Sequence, residues 1–467
     1  MVSSVSGERD GRAAFSRRQA LARGSGLLAL VSAAATACGA PSGAPKPSGG
    51  ELASSQKNAT LEAWFHSDNR YPWQQKALED YNKEKGANLK INFTKIGSSS
   101  EVADKLVVTL AADSGFPDLC DIEISQMGKL LKSTPPFVPF NDVLRGKQND
   151  FFLPSFVDGW SDQGKWWSLG NELNAVVLAY RTDLFERAGV KAPLKTWDDV
   201  VDAGKRLVAA QVTNGVFFFG NGTTGPMHVL SIIGGGGYTD KNNKLIITHP
   251  ANARTLQYLS DLVVKHKAAA FDPSTDDRMA EANAGLVGGD FGPSWRVASL
   301  DYKNKAPDTK AKWMIQQLPQ WPGQAKLASS SWGGTGMTVL KGSKYKEIGQ
   351  DFVVWEHLNP KAMLYDYDLR QVYPVNKKAY DDARLNEPVA WFNNQKLGPI
   401  FKEAAEAMLP FFQGKWWPEI SKGAGKHITA AMKGEKPVKQ ALDDAMADVK
   451  AEIESAGGKV DADGTIR

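Results

Sequence analysis

Residues 59–125 alternate between strand-like and helix-like segments, and this order limits the folds open to the chain. The segment ATLEAWF places Leu61, Ala63 and Phe65 on one side of a strand. The next segment, PWQQKALEDYNKEKG, has a proline at its start, apolar residues four apart and a glycine at its end, which is typical of a helix. NLKINFTKI, EVADKLVVTLAADSG and PDLCDIEI continue the alternation. The order β-α-β-α-β predicts a parallel sheet with helices on its faces.

Polar residues follow the first and third of these strands. Ligands of parallel α/β sheets bind beyond the carboxyl ends of the strands. Here those ends carry HSDN, residues 66–69, and CDIEIS, residues 120–125. Asp121 and Glu123 alternate along the third strand, so their side chains share a face. Each carboxylate could reach a ligand or pair with a lysine at the rim, and the sequence leaves both possibilities open.

The first 37 residues are predicted to be an export signal. Arginines precede an apolar run from Gly24 to Ala37, which is shorter than the roughly 20 residues needed to span a bilayer. Arg17-Arg18 indicates the twin-arginine route, with general secretion as the alternative. The tetrapeptide ATAC resembles the lipobox of bacterial lipoproteins, which implies acylation of Cys38. An ordinary cleavage site beside a chance cysteine is the alternative.

Residues 38–58 are predicted to be the lipidated cysteine and a flexible tether. The stretch GAPSGAPKPSGGELASSQKN has too little apolar surface to fold. Twenty flexible residues have a root-mean-square reach of roughly 25 Å. That reach would hold a globular body just off a membrane surface.

The body that remains after cleavage is close to neutral. Cleavage removes five of the 56 basic and two of the 52 acidic residues, which leaves 51 against 50. This balance and the lack of a basic run argue against nucleic acid as a partner. Cys120 is then the only cysteine besides Cys38, so no disulfide within the chain is expected. The apolar core must stabilise the fold, and the length suggests two lobes.

Two local predictions concern the middle of the chain. Thr196 is predicted to cap a helix that begins at Trp197, with Trp197 in the core. Gly234 to Gly237 lacks the Lys-Ser/Thr partner of a phosphate loop, so it is interpreted as a turn into a strand, KLIITH.

Five segments along the chain occur in the same order as the characteristic segments of a known protein family. They are ADKLVVTLAADSGFPDLCDI, LAYRTDLFERAGVKAPLKTWDDV, GDFGPSWRVASL, SWGGTGMTVLKGSKYKEIGQDFVVWEHL and RQVYPVNKKAY. Together they resemble the extracellular solute-binding proteins of bacterial ABC importers, in the branch that includes maltose-binding protein. The second segment, residues 178–200, is the most specific, and the resemblance covers nearly all of the mature chain.

The resemblance implies an α/β fold of two lobes, the periplasmic-binding-protein or Venus-flytrap fold, with a hinge of several chain crossings. The crossings are expected near residues 167–173, 329–334 and 373–377. The expected lobes are 59–170 plus 332–375 for the N-terminal lobe and 171–331 plus 376–467 for the C-terminal lobe.

The resemblance also implies a function. A monomer without cofactor or metal would capture a carbohydrate, a di- or oligosaccharide, between its lobes and deliver it to an ABC permease. A lipid on Cys38 would hold it at the outer face of the cell membrane. The same fold binding a polyamine or a peptide is the alternative.

An exported glycoside hydrolase is a more remote alternative. Paired carboxylates such as Asp68 and Asp121 could serve one. However, the sequence has no His-Glu-x-x-His and no Gly-x-Ser-x-Gly, so it argues against an enzyme.

The candidate ligand-binding residues are aromatic and polar. A sugar has an apolar face and a rim of hydroxyl groups, so its receptor needs flat aromatic platforms and hydrogen-bonding side chains. By resemblance, Trp295 and Trp332 face the cleft, and one of Trp416 and Trp417 lies near the sugar; packing between the lobes is the alternative for each. The polar candidates are His66, Asp68, Asp121, Glu123, Asn171, Glu172, Arg370 and Tyr373.

Overall fold

The computed structural model describes residues 57–467 apart from 220, 221, 223, 272–274, 299, 411 and 412. The predicted export signal and Cys38 lie outside the described residues. The first strand begins at Asn58, the last residue of the predicted tether. Within the described ranges, no helix has both the length and the apolar character needed to cross a membrane.

Short strands and helices alternate along the chain. The strands are β1 (Asn58–Phe65), β2 (Asn88–Lys95), β3 (Leu119–Glu123), β4 (Ser161–Asp162), β5 (Lys165–Trp166), β6 (Leu169–Gly170), β7 (Val177–Arg181), β8 (Phe217–Phe219), β9 (Ala269–Phe271), β10 (Gly289–Gly292), β11 (Trp313–Gln316), β12 (Thr335–Val339), β13 (Pro388–Val389) and β14 (Gln395–Lys396). The helices are α1 (Tyr71–Lys85), α2 (Ser99–Ala111), α3 (Ile124–Leu131), α4 (Leu153–Phe156), α5 (Thr182–Arg187), α6 (Trp197–Ala209), α7 (Pro226–Ile233), α8 (Pro250–Ser260), α9 (Thr275–Asn283), α10 (Ser294–Val297), α11 (Leu300–Lys305), α12 (Lys346–Leu358), α13 (Pro360–Arg370), α14 (Leu397–Glu406), α15 (Trp417–Met432) and α16 (Val438–Ser455).

The fold has two halves, each built on its own sheet and each containing segments from distant parts of the chain. The first half is built on a five-stranded sheet with the order β2-β1-β3-β12-β6. β1 pairs in parallel with both β2 and β3, which confirms the predicted β-α-β-α-β unit. β12 runs antiparallel to β3 and β6. α1 ends as predicted before Gly86, whose φ of 59° is a left-handed conformation that glycine adopts without a steric penalty.

The alternation of side chains along β1 explains how this sheet is covered. Leu61, Ala63 and Phe65 join one apolar cluster, and Trp64 joins another on the opposite face. Both faces of the sheet are therefore buried, as expected for a sheet with helices on both sides.

The second half is built on an antiparallel sheet with the order β10-β7-β11. Leu178 and Tyr180 of β7 enter one apolar cluster, and Val177 and Ala179 enter another. Every residue of β7 is buried, because helices and loops cover both faces of this sheet as well.

The chain passes between the two sheets near the predicted crossings. It leaves the first sheet after β6, enters the second at β7, and returns between β11 and β12. Farther along, Val375 packs in a cluster of the first sheet and Ala379 in a cluster of the second. Two sheets with separate cores and repeated passages between them form a two-lobed α/β architecture.

The two local predictions have different outcomes. Thr196 caps α6 in a reciprocal arrangement with Asp199, and Trp197 is fully buried, as predicted. The prediction of a strand at KLIITH is wrong. Lys244 and Leu245 make only isolated bridges, to Thr465 and Thr239, so the segment is held between a turn and the C-terminal tail and joins no sheet.

Candidate functional site

A cavity of about 470 Å³ lies where the two halves face each other. The loop after β1, the end of β3 and the start of α3 form one side of it, as the polar residues at the strand ends predict. The start of α7, Trp295 in the short helix α10, and Gln413 form the other side. The passages between the sheets contribute the rest. The lining residues are His66, Ser67, Asn69, Arg70, Glu123, Ile124, Ser125, Glu172, Thr224, Gly225, His228, Trp295, Ser331, Trp332, Gly333, Gly334, Thr335, Arg370 and Gln413.

The loop after β1 is fixed to β3 by Asp121. The backbone N–H of His66 donates to Asp121 Oδ1 at 3.1 Å, and His66 Nδ1 lies 3.0 Å from Asp121 Oδ2. The Asp121 side chain is fully buried, whereas that of His66 is 20% exposed toward the cavity. The buried Asp121 carboxylate therefore fixes the orientation of the His66 side chain at the cavity wall.

Arg70 connects the same loop to the first passage between the sheets. Its Nη2 donates to Glu172 Oε1 and to Thr335 Oγ1, both at 3.0 Å. Burial alone would raise the pKa of Glu172, but the guanidinium groups of Arg70 and Arg370 outweigh burial and hold this pKa below its ordinary value. Glu172 is therefore a charged hydrogen-bond acceptor at neutral pH.

Arg370 is fixed in turn by its own helix. Its Nε donates to Asp366 Oδ1 at 2.5 Å, one turn earlier on α13, and its Nη2 lies 3.7 Å from Glu172 Oε2. The floor of the cavity thus carries two arginines and three carboxylates, those of Asp121, Glu172 and Asp366. The carboxylates outnumber the guanidinium groups by one, and each carboxylate has an arginine within 4 Å.

Two other lining groups are influenced by burial. Burial raises the pKa of Glu123 despite hydrogen bonds from the backbone and hydroxyl of Ser125. Burial lowers the pKa of His228 to about 3, so its ring is neutral. Among the residues that the structure describes, no three His, Cys, Asp or Glu side chains come together in a way that could hold a metal ion.

The aromatic side of the cavity consists of Trp295 and Trp332. Their ring centroids lie 6.2 Å apart at an interplanar angle of 75°, so the two indoles meet edge to face. Each ring lies against a glycine with positive φ: a Cβ on Gly225 would lie 2.9 Å from Trp332 Cζ2, and one on Gly333 would lie 3.3 Å from Trp295 Cζ2. Both indoles are half-buried and form part of the cavity wall.

The structure brings half of the predicted site residues to the cavity wall. These six are His66, Glu123, Glu172, Trp295, Trp332 and Arg370. Asp121 lies directly beneath His66. Asn171 is buried next to Glu172 and its Oδ1 lies 3.0 Å from His357 Nε2, so it supports the floor without lining the cavity.

Four predicted residues lie elsewhere. The side chain of Asp68 is 67% exposed and pairs with Lys95 at 3.3 Å, because the loop turns it toward solvent. Tyr373 is buried against Phe401, with ring centroids 4.4 Å apart. Trp416 and Trp417 are buried in the apolar cluster of the second half, and Trp417 meets the lining residue His228 edge to face.

Sequence reasoning missed several lining residues. Arg70 directly follows the HSDN segment, so its position beyond a strand end was a usable signal. His228, Thr224 and Gln413 had no such signal, since they lie on a helix and loops whose approach to the first half depends on the tertiary fold.

Comparison with known proteins places these features in a family. The model for bacterial extracellular solute-binding proteins matches residues 66–355, which is more than half of the chain. The chain is 29% identical over 273 residues to the arabinooligosaccharide-binding protein of Halalkalibacterium halodurans, covering 56% of this chain and 59% of that protein. It is 25% identical over 389 residues to the arabinooligosaccharide-binding protein of Bacillus subtilis, covering 80% of this chain and 88% of that protein.

The fold also matches a solved structure. The sugar-binding protein MalE from Xanthomonas citri superposes with a TM-score of 0.71 at 15% identity, covering 85% of this chain and 98% of that one. This similarity confirms the predicted two-lobed α/β class. The chain belongs to the family of bacterial extracellular solute-binding proteins.

Proposed function

We propose that the cavity binds a short, neutral oligosaccharide of the arabino-oligosaccharide kind. The names of the two relatives supply this sugar class, although the chain spans only 59% of the first relative's length. The family consists of solute-binding proteins and not of enzymes, so a glycoside hydrolase is no longer a candidate.

The observation that carries the proposal is the combination of two indoles with a floor of mutually paired charges. Trp295 and Trp332 offer apolar surface to a sugar ring. Glu172 forms an ion pair with Arg70 and lies near Arg370, which in turn forms an ion pair with Asp366. A polyamine is expected to bind carboxylates without cationic partners, whereas Glu172 already has two arginines beside it and burial raises the pKa of Glu123, the other lining carboxylate. The hydroxyl groups of a sugar can both donate to and accept from such side chains.

The proposed mechanism is capture by closure. A ligand that contacts both halves has extra affinity for the form in which they enclose it, and so shifts the equilibrium toward that form. Outside the cytoplasm, the monomer would then deliver the sugar to an ABC permease in the membrane.

We propose that the two lobes are residues 59–170 plus 332–375 and residues 171–331 plus 376–467.

A thermal-shift screen of the full-length chain tests the ligand class. The probes are arabinobiose to arabinotetraose, maltotriose, a galactobiose, spermidine and a tripeptide. A ligand present at 100 times its dissociation constant stabilises the protein by about 2.7 kcal/mol, which raises the unfolding temperature measurably. We expect a rise with the arabino-oligosaccharides. A rise only with spermidine or the tripeptide would contradict the sugar proposal and leave the family unchanged.

We also propose that the chain is exported through the twin-arginine route and anchored by a lipid on Cys38. Replacing Cys38 by serine is expected to move the protein from the membrane fraction to the soluble fraction, as followed by immunoblot. Cys120→Ser is the matched control because Cys120 is the other cysteine and is buried. Retention of the Cys38→Ser variant in the membrane would contradict the anchor.

A further inference from the structure

A direct contact between the two halves lies next to the cavity. α3 packs in a cluster of the first sheet, and α15 packs in a cluster of the second. Ile124, at the start of α3, and Gln413, shortly before α15, both line the cavity. The contact between α3 and the N-terminal end of α15 is therefore directly adjacent to the cavity wall.

Gly128 lies where α3 packs tightly against the segment that leads into α15. A Cβ built on Gly128 would lie 2.8 Å from Pro418 Cδ, 3.0 Å from the Gly414 carbonyl oxygen and 3.1 Å from that of Lys415. The partners are a proline ring and backbone atoms, which cannot rotate away. Gly128 lies inside a helix, where alanine is favoured over glycine, so local helix stability does not explain the glycine.

An ion pair and a cation–aromatic contact lie close to Gly128 in the chain. Lys132, at the end of α3, pairs with Glu419 in the first turn of α15. The Lys132 ammonium also lies 5.6 Å from the centroid of the Trp416 ring. Ile232 of α7 packs against the cluster that contains α3, so a second helix of the second half takes part.

We propose that Gly128 and Lys132 are positioning residues for ligand binding. Neither lines the cavity. Gly128 and Lys132 determine how closely the two halves approach each other next to the cavity. They therefore stabilise the form in which the halves enclose a ligand, by a free energy that is the same for every ligand. The inference rests on the proposed function only where sugar binding is measured. A measurement of the distance between the two halves tests the inference without any sugar.

The first test replaces Gly128 by alanine. The added methyl group overpacks the contact, and we expect binding weakened on the order of tenfold, by the same factor for every sugar that binds. A residue that touches the ligand would instead change the ranking of sugars. The unfolding temperature without ligand should not fall much, because alanine favours the helix.

The second test measures the distance between the halves directly. Spin labels on Val108→Cys in the first half and Val264→Cys in the second report it in the full-length chain carrying Cys38→Ser. Both valines are exposed, at 66% and 47%, and Cys120 is buried away from the label. Gly128→Ala is expected to shift the distribution to longer distances without sugar. Identical distributions for the two proteins would overturn the proposal, whatever the ligand is.

Lys129 of α3 and Lys132, the residue directly after this helix, provide a matched pair. Lys132 reaches across to Glu419, whereas Lys129 pairs at 2.9 Å with Asp104 of α2, within the first half. Lys132→Ala is expected to weaken binding by up to about fivefold, an effect that salt should reduce, and Lys129→Ala should leave affinity unchanged. Equal effects of the two substitutions would overturn the role of Lys132.

Discussion

Replacing Arg70 by methionine is expected to lower the free energy of unfolding at pH 7 by about 3 kcal/mol, as measured by urea denaturation. The substitution keeps most of the side-chain volume but leaves the Glu172 carboxylate, 3% exposed, without its 3.0 Å partner. The value lies at the lower end of the range for breaking a buried pair, because Arg370 remains 3.7 Å from the other oxygen.

The pH dependence of this loss identifies its cause. In the native protein the arginines hold the pKa of Glu172 below its ordinary value of 4.5, so Glu172 contributes stability above that pH and loses it as the pH falls. Without Arg70, burial shifts this pKa upward, and the variant is destabilised as the pH rises. The difference between the two proteins should therefore be largest near pH 7 and should shrink toward pH 4.5.

An exposed arginine provides the control for Arg70. Arg145 pairs with Asp142 at 2.5 Å, but the two side chains are 76% and 73% exposed. Arg145→Met is expected to change the free energy of unfolding by less than about 1 kcal/mol at any pH. If Arg70→Met had an equally small effect, the paired floor of the cavity would not be a source of stability.

The elements that the sequence predicted correctly are those encoded by neighbouring residues. The alternation in ATLEAWF, the terminal glycine of α1 and the Thr196 cap depend on contacts within one strand or one helical turn. The two edges of the cavity at His66 and Glu123 were predictable as well, because parallel strands bring their carboxyl ends to one edge of a sheet.

The remaining features depend on contacts between segments far apart in the chain. The resemblance implied that one of Trp416 and Trp417 lies near the sugar, yet both are buried in the apolar cluster of the second half. Asp68 occupies a position expected for an acidic ligand contact, but the local turn directs it to Lys95. His228 comes to the cavity because the start of α7 faces the first half, which no local pattern encodes.

Replacing Trp295 by alanine is expected to weaken oligosaccharide binding at least roughly 30-fold, measured by titration calorimetry with whichever sugar gives the largest thermal shift. Loss of a half-buried aromatic anchor typically costs 2 kcal/mol or more of binding free energy, and 1.4 kcal/mol corresponds to tenfold. Trp295 meets Trp332 edge to face, so its removal also takes away one side of the corner that the two rings form. Trp295→Phe should retain part of the affinity because it keeps a flat ring.

The contrast between Trp295 and Trp416 separates binding from folding. Trp416 is 9% exposed and lies outside the cavity, against Gly458, where a Cβ would be 2.5 Å from the Trp416 ring. Trp416→Phe is expected to lower the free energy of unfolding by about 1 to 3 kcal/mol through lost packing. Its effect on the affinity of the folded protein should not exceed the roughly fivefold expected for Lys132→Ala, because Trp416 contacts Lys132 and does not line the cavity. Trp295→Ala should show the reverse, a large loss of affinity with a change of only about 1 kcal/mol in stability. Unchanged affinity in Trp295→Ala would mean that the sugar does not bind against this pair of indoles, whereas a large loss in Trp416→Phe would restore Trp416 as a ligand contact.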